Sequence, residues 1–210
     1  MNFLHIEPSD IEAASFKIIE EELKERNIVL KEEYAPIIKR AIHTTADFDY
    51  AESLVFSKDP VKKFAELTDQ NAMIVTDTNM ALSGINKAAL KKLGMEAVCF
   101  MADKDIAEEA KRQGVTRASL SIRKACKIDR PVIFAVGNAP TALIELREQM
   151  DKGYSPALVI GVPVGFVNVV ESKELIIETD ISYIVNRGRK GGSNLAAALI
   201  NALMYMNGGR

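Results

Sequence analysis

The chain of 210 residues has no tryptophan, two cysteines, two histidines and few aromatic residues of any kind, 6% in all. Cys99 and Cys126 are far apart in sequence and sit in apolar-leaning segments. Two isolated thiols do not make a disulfide framework and fit a reducing, cytoplasmic environment. With only His5 and His43 as imidazoles, no Cys/His cluster has the spacing of zinc ligands, and no metal site is expected. Charge of either sign is not in excess: 27 Lys and Arg face 29 Asp and Glu, for a net charge of −2. That balance gives no general attraction to nucleic acid or to an anionic membrane. No run of about 18 apolar residues exists to span a bilayer. Met1 to Asp10 lacks the basic segment and apolar run of a secretory signal. The motif inventory is equally bare. There is no Gly-x-Gly-x-x-Gly after the first strand, no P-loop spacing and no Gly-x-Ser-x-Gly elbow, so a dinucleotide cofactor and a serine hydrolase are both poorly supported.

What is present is a large apolar fraction, 48%, beside 27% charged residues, enough for one sizeable core. One domain over residues 1–210 is the simplest count, with no internal repeat, low-complexity segment or linker. Short apolar runs at 53–56, 72–76, 96–101, 131–136, 157–160 and 181–185 read as strands. Amphipathic stretches between them read as helices, with Gly94, Gly114 and Gly153 as natural stops. Apolar strands alternating with helices predict an α/β fold with a doubly wound, mostly parallel sheet and helices on both faces.

Ligands of such sheets bind beyond the carboxyl ends of the strands. Four segments follow predicted strands: Asp77-Thr78, Gly137-Asn138, Gly161-Val-Pro163 and Arg187-Gly-Arg-Lys-Gly-Gly-Ser193. Singly, each reads as an ordinary strand-to-helix turn. The last is cationic and opens a helix, an arrangement suited to an anion. Arg117, Arg187 and Arg189 are candidate carboxylate clamps, because a guanidinium binds a carboxylate through two parallel hydrogen bonds.

His43 draws attention for a different reason. A helix predicted over about Tyr34 to Ile42 places it near a helix C-terminus, followed at once by Thr44, Thr45, Asp47 and Asp49. An imidazole there has two readings. It caps the last carbonyls of the helix, or it transfers a proton near neutral pH. His5, in the N-terminal segment, is more simply an ordinary surface histidine.

Taken together and in order, several segments resemble the precorrin-8X methylmutase family, including its cobalt-precorrin-8 counterparts of corrinoid biosynthesis. They are Ile42-His-Thr-Thr-Ala-Asp-Phe48, Asp77-Thr-x-Met80 with Ser83-Gly84, and Gly137-Asn-Ala-Pro-Thr-Ala-Leu143. Gly161-Val-Pro-Val-Gly-Phe-Val167, Glu171-Ser-Lys173 and the 187–193 loop complete the set. One departure is Ala46, where the family pattern has glycine before the aspartate. The resemblance implies a cofactor-free, homodimeric isomerase with its active site near the subunit interface. Its reaction moves a methyl group from C-11 to C-12 of a tetrapyrrole by an acid-assisted 1,5-sigmatropic shift. The family's catalytic histidine maps onto His43. Arg117, Arg187, Arg189 and Lys190 are then expected to grip substrate carboxylates. Ser15, Thr78, Ser83, Gly84 and Asn138 are expected to line the ring pocket. A competing class is a protein that binds or delivers the corrinoid without converting it.

Overall fold

Five successive apolar residues, Val132 to Val136, form the middle of the sheet, and all five are buried. A strand covered on both faces has no need of polar alternation. Ile133 and Ala135 point into one core, and Val132, Phe134 and Val136 into the other.

The computed structural model describes residues 7–209; His5 lies outside them. In chain order the elements are α1 (Ile11–Glu25), α2 (Ala35–Thr45), α3 (Tyr50–Ser53), β1 (Leu54–Phe56), α4 (Pro60–Asp69), β2 (Met73–Thr76), α5 (Asn79–Gly84), α6 (Lys87–Lys92), β3 (Glu96–Val98), α7 (Lys104–Gln113), α8 (Arg117–Ala125), β4 (Val132–Val136), α9 (Pro140–Asp151), β5 (Leu158–Gly161), α10 (Val169–Ile177), β6 (Tyr183–Asn186) and α11 (Ser193–Met206). The strands lie in the order β1-β6-β5-β4-β2-β3. Every pair is parallel except β1 with β6. This is the doubly wound, mostly parallel sheet expected from the alternation.

One face is covered by α1, α2, α4, α5, α6 and α11, through residues such as Ile37, Phe64, Leu67, Leu195 and Leu199. The other is covered by α8, α9 and α10, through Ala118, Ile122, Leu143, Leu146 and Ile176. Helix α11 is the central helix of its face. Its Ala- and Leu-rich sequence is buried on most sides, as expected of a helix packed by neighbours all round. No described helix is long and apolar enough to cross a membrane.

The boundaries shift where edges or caps intervene. The run from Glu96 pairs only as far as Val98, because β3 is an edge strand with β2 as its single neighbour. Phe100 and Met101 pack instead against the second core. Helix α10 begins at Val169, two residues later than the sequence pattern indicates, and Phe166 and Val167 stay in the preceding loop. The short helix α3 carries no periodic signal of its own.

Helix α2 runs to Thr45, so His43 sits inside its last turn. The helix ends on Ala46, which takes a left-handed conformation with φ 53° and donates its N–H to Ile42 O at 2.7 Å. That is the position where the resemblance leads one to expect glycine. An L side chain costs about 1–2 kcal/mol there, partly offset by the greater chain entropy that glycine loses on folding. Ala46 is exposed, so its methyl contributes little packing. Ala46→Gly is therefore expected to stabilise the protein by about 0.5–1 kcal/mol. Equilibrium denaturation with an unchanged m-value checks this; a destabilised variant would contradict the cap assignment.

Candidate active site

The carboxyl ends of β2, β4, β5 and β6 meet at one rim, and a single carboxylate ties it together. Asp77, one residue past β2, is 3% exposed. Its Oδ1 accepts from Gly137 N at 2.9 Å, and its Oδ2 accepts from Asn138 N and Ala139 N, both at 2.7 Å. These three groups form the turn from β4 into α9, where a helix dipole also favours negative charge. Burial pushes the Asp77 carboxyl upward from its ordinary range, and the three N–H donors pull the other way.

The other turns stack on this one at backbone contact. A Cβ on Gly137 would stand 2.7 Å from Gly192 O and Ser193 Cα, so the β4–α9 turn touches the start of α11 directly. A Cβ on Gly191 would stand 2.1 Å from Val162 O. Gly191 also has φ 156°, so both space and conformation exclude a side chain. Gly192 N donates to Val162 O at 2.9 Å, and Gly165 N donates to Arg189 O at 3.2 Å. Thr78 caps α5, accepting from Ala81 N at 3.0 Å, and its hydroxyl lies 2.7 Å from Ser193 Oγ.

Beneath the glycine-rich loop lies a buried lysine. Lys173, on α10, is 0% exposed, and its Nζ donates to Gly188 O and Lys190 O, both at 2.8 Å. Asn186 Nδ2 donates to Lys190 O as well, at 2.6 Å. Desolvation lowers the Lys173 ammonium from 10.5 to about 8. Across a trans peptide the carbonyl and the following N–H point in opposite directions. Drawing the carbonyls of residues 188 and 190 inward therefore turns the N–H groups of Arg189 and Gly191 outward.

The His43 segment joins this rim through charge. Lys190 Nζ donates to Asp47 Oδ2 at 2.6 Å and to Asp49 Oδ2 at 2.5 Å. The Lys190 contact holds the Asp47 carboxyl below its usual range. Lys190, expected to meet substrate, is thus engaged by two acids of its own chain. Arg187 is likewise paired, Nε to Glu174 Oε1 at 3.1 Å. Arg189 stays exposed, with its guanidinium 5.6 Å from the Phe166 ring centroid. Arg117 opens α8 beside α9, since Thr116 and Thr141 hydroxyls lie 3.0 Å apart. Among the described residues neither Arg117 nor Arg189 has an acidic partner.

His43 itself is exposed on the last turn of α2, and its ring stacks on Phe16 of α1, centroids 5.2 Å apart and planes 19° apart. It makes no hydrogen bond to the last helix carbonyls; Ala46 N and Thr45 Oγ1 take that role, bonding Ile42 O and Ala41 O. A cleft of about 360 Å³ opens here, lined by Ser15, Ile18, Glu22, Arg26, His43 and Phe48. The structure therefore brings Ser15 and His43 together, and gathers Thr78, Asn138, Arg187, Arg189 and Lys190 at the rim. Asn138 is exposed, with its backbone N–H held by Asp77. Ser83 is exposed on α5, and Gly84 O accepts from Asn201 Nδ2 at 2.9 Å, so Gly84 belongs to the seam between α5 and α11. Asp77, Lys173 and Ser193 were in the motifs but not among the candidate residues. Their signal is a polar residue beside a strand end or inside an otherwise apolar helix face. Among the described residues no group of three or more His, Cys, Asp or Glu could hold a metal ion.

Lys173 yields a stability prediction. Its folded value, about 8, lies below the 10.5 of the unfolded chain. Between those values the unfolded state binds more protons, so stability should rise with pH across that window, by on the order of 3 kcal/mol at most. The neutral amine keeps two N–H groups, enough for both carbonyls. Unfolding measured from pH 7.5 to 10.5 should show this rise, and Lys173→Met should lack it; parallel curves would refute the assignment.

Comparison with known proteins agrees with this architecture. The family model described as precorrin-8X methylmutase matches residues 10–206. The cobalt-precorrin-8 methylmutase of Priestia megaterium is 42% identical, over 97% of this chain and 90% of that protein. That of Salmonella typhimurium is 41% identical, over 95% of each. The precorrin-8X methylmutase of Pseudomonas aeruginosa is 34% identical, over 78% of this chain and 80% of its own. The crystal structure of precorrin-8x methyl mutase from Thermus thermophilus superposes with a TM-score of 0.87 at 37% identity, covering 95% of this chain and 96% of that one. A match over nearly the whole length, in sequence and in fold, means that this chain belongs to the precorrin-8X methylmutase family of isomerases.

Proposed function

We propose that this protein moves a methyl group from C-11 to C-12 of precorrin-8X or cobalt-precorrin-8, giving hydrogenobyrinic acid or cobyrinic acid, with His43 as the proton-transferring residue. The observation that carries the reading is the free edge of the His43 ring. It lines an open cleft and has no hydrogen-bond partner among the described residues, within a segment tied to the rim by Lys190. An isomerisation consumes no proton, so His43 gives one to the macrocycle as the 1,5-shift proceeds and takes one back afterwards. No nucleophile is required. The substrate's carboxylate arms suit Arg189 at the rim and Arg117 at the start of α8, neither of which has an acidic partner among the described residues, and the outward N–H groups of the 187–193 loop. Arg187 and Lys190 reach a substrate only by sharing their present acids, so their first role is to hold the rim. Ser15 and Asn138 face the space beside His43 and the rim, and Thr78 shapes it through Ser193.

General acid assistance contributes roughly 10²–10⁴-fold. His43→Ala is expected to lose turnover by about that factor while still binding product. The assay is the colour change on mixing substrate with protein, because the methyl shift alters conjugation. Near-normal turnover would remove His43 from the role, and binding without any colour change by the parent protein would favour a delivery protein. Spectra of product retained after co-expression with the pathway distinguish the cobalt from the metal-free substrate.

We also propose a single-domain, cytoplasmic homodimer. Both cysteines are free thiols, which accords with a reducing compartment. Large apolar side chains crowd the rim: Phe166 is 83% exposed, Val167 77%, Met80 71% and Val164 46%. A cleft of about 360 Å³ is small for a tetrapyrrole, and a second subunit seated on this apolar margin would deepen it. Sedimentation equilibrium should give twice the chain mass, and Phe166→Glu should shift it toward monomer; a monomeric parent protein would refute the dimer.

A further inference from the structure

The imidazole edge that the proposed chemistry needs is positioned by one side chain from another helix. We propose that Phe16 is a positioning residue for His43, a role that rests on the assignment of His43 as the proton-transferring group.

Phe16 belongs to the inward stripe of α1. Ile19 and Leu23 are buried on that stripe, and Phe16 lies one turn before Ile19. Arg40 and His43 are three residues apart on α2 and so share one face of it. Both contact the same phenyl ring: the His43 centroid lies 5.2 Å from it and Arg40 Cζ lies 4.8 Å from it. The Arg40 guanidinium is fixed in turn by Glu12 of α1, at 2.5 Å, and lies 5.5 Å from the Tyr205 ring of α11. Phe16 is therefore flanked by two side chains of α2, one of them anchored in turn on α1 and α11, and the imidazole rests on it.

Among the described residues His43 has no other ring contact. Neither ring nitrogen has a hydrogen-bond partner among them, and the residue is exposed in the last turn of its helix. The terminal torsion of a histidine is broad when nothing holds the ring. A near-parallel stack removes that freedom, because the ring can rotate only by losing the phenyl face. It also leaves both nitrogens in the ring edge, clear of the phenyl face, on a residue that lines the cleft. A hydrogen bond from the protein would have fixed the ring equally well, but would have consumed one nitrogen. Stacking orients the acid and keeps both nitrogens for the reaction.

The test uses the full chain, with Phe16→Leu and Phe16→Met as two ways to remove the aromatic face and Phe16→Tyr as the conservative control. Phe16 is half-buried on a surface helix, so at least one aliphatic variant should fold. With two histidines in the chain, the His43 ring signals are assigned in a ¹³C-histidine spectrum by comparison with His43→Ala. Loss of ring-current shielding should move the His43 C–H signals downfield in both aliphatic variants, and Phe16→Tyr should restore them. The same variants should lose kcat by roughly ten- to a hundredfold, the scale of a misplaced catalytic group, with KM within about twofold of the parent. Phe16→Tyr should recover kcat. Unshifted His43 signals, or shifted signals with parental kcat, or a rise in KM alone, would overturn the proposal. If His43→Ala turned over normally, the assignment beneath it would fall instead, and that result is separate from all of these.

Discussion

The structure turns on the Asp77 carboxylate and the three backbone N–H groups it receives. A turn that leaves a buried strand and enters a helix carries backbone N–H groups that neither element satisfies, here those of Gly137, Asn138 and Ala139 just before α9. Asp77 supplies both oxygens to those donors from the neighbouring strand. The β4–α9 turn is thereby held at a fixed height above the sheet. Only from that height does Gly137 meet Gly192 and Ser193 at backbone contact. The close seat of the 187–193 loop on Val162 follows, and with it the direction of its outward N–H groups. One ionisable side chain thus determines how three loops stack.

The lysine beneath the same loop complements this arrangement. Asp77 collects N–H groups, and Lys173 collects carbonyls. Among the described residues neither pairs with an opposite charge; each is solvated by peptide dipoles. Buried charges of this kind are costly unless hydrogen-bonded, and a variant that loses the charge leaves several backbone groups without partners. The rim therefore tolerates few alternative arrangements, which is the property needed to hold a large, flexible-armed substrate in one reactive shape.

Much of this fold could be read from the sequence. Fully apolar strands such as Val132–Val136 leave no choice but burial on both faces, and the intervening helices have clear caps and stops. What the pattern could not reveal was set by neighbours. The end of β3 depends on having a partner on one side only. The extension of α2 past Ile42 depends on Ala46 accepting a left-handed conformation that its residue type disfavours. Among the candidate residues, His43 was conspicuous as one of two histidines, and the glycine-rich basic loop by composition. The partnering of that loop's charges was invisible. A run of Arg187, Arg189 and Lys190 looks like three equal clamps, yet Glu174 takes the first, Asp47 and Asp49 take the last, and Arg189 alone is left with an aromatic neighbour. Phe16 carries no signal in the sequence, because nothing local tells a phenylalanine that it faces an imidazole from another helix.

The division of labour at the rim follows from these contacts. Elements that must not move are fixed by charge buried against peptide groups, as at Asp77 and Lys173. The segment of His43, to which we assign proton transfer, is held more lightly. Its helix end is tied to the rim by an exposed lysine bridging two carboxylates, an interaction weakened by water and by salt. Its ring is held by a stack that constrains orientation without occupying a nitrogen. A proton-transferring group must approach its substrate closely and then let the product leave. Rigid capture of the carboxylate arms combined with a softer mount for the imidazole satisfies both demands. The reverse arrangement would fix the acid and let the macrocycle shift beneath it. An intramolecular methyl migration depends on the ring's shape more than on the strength of any one acid, so under the proposed assignment the firmest contacts belong where they lie, beneath the loops assigned to hold the ring.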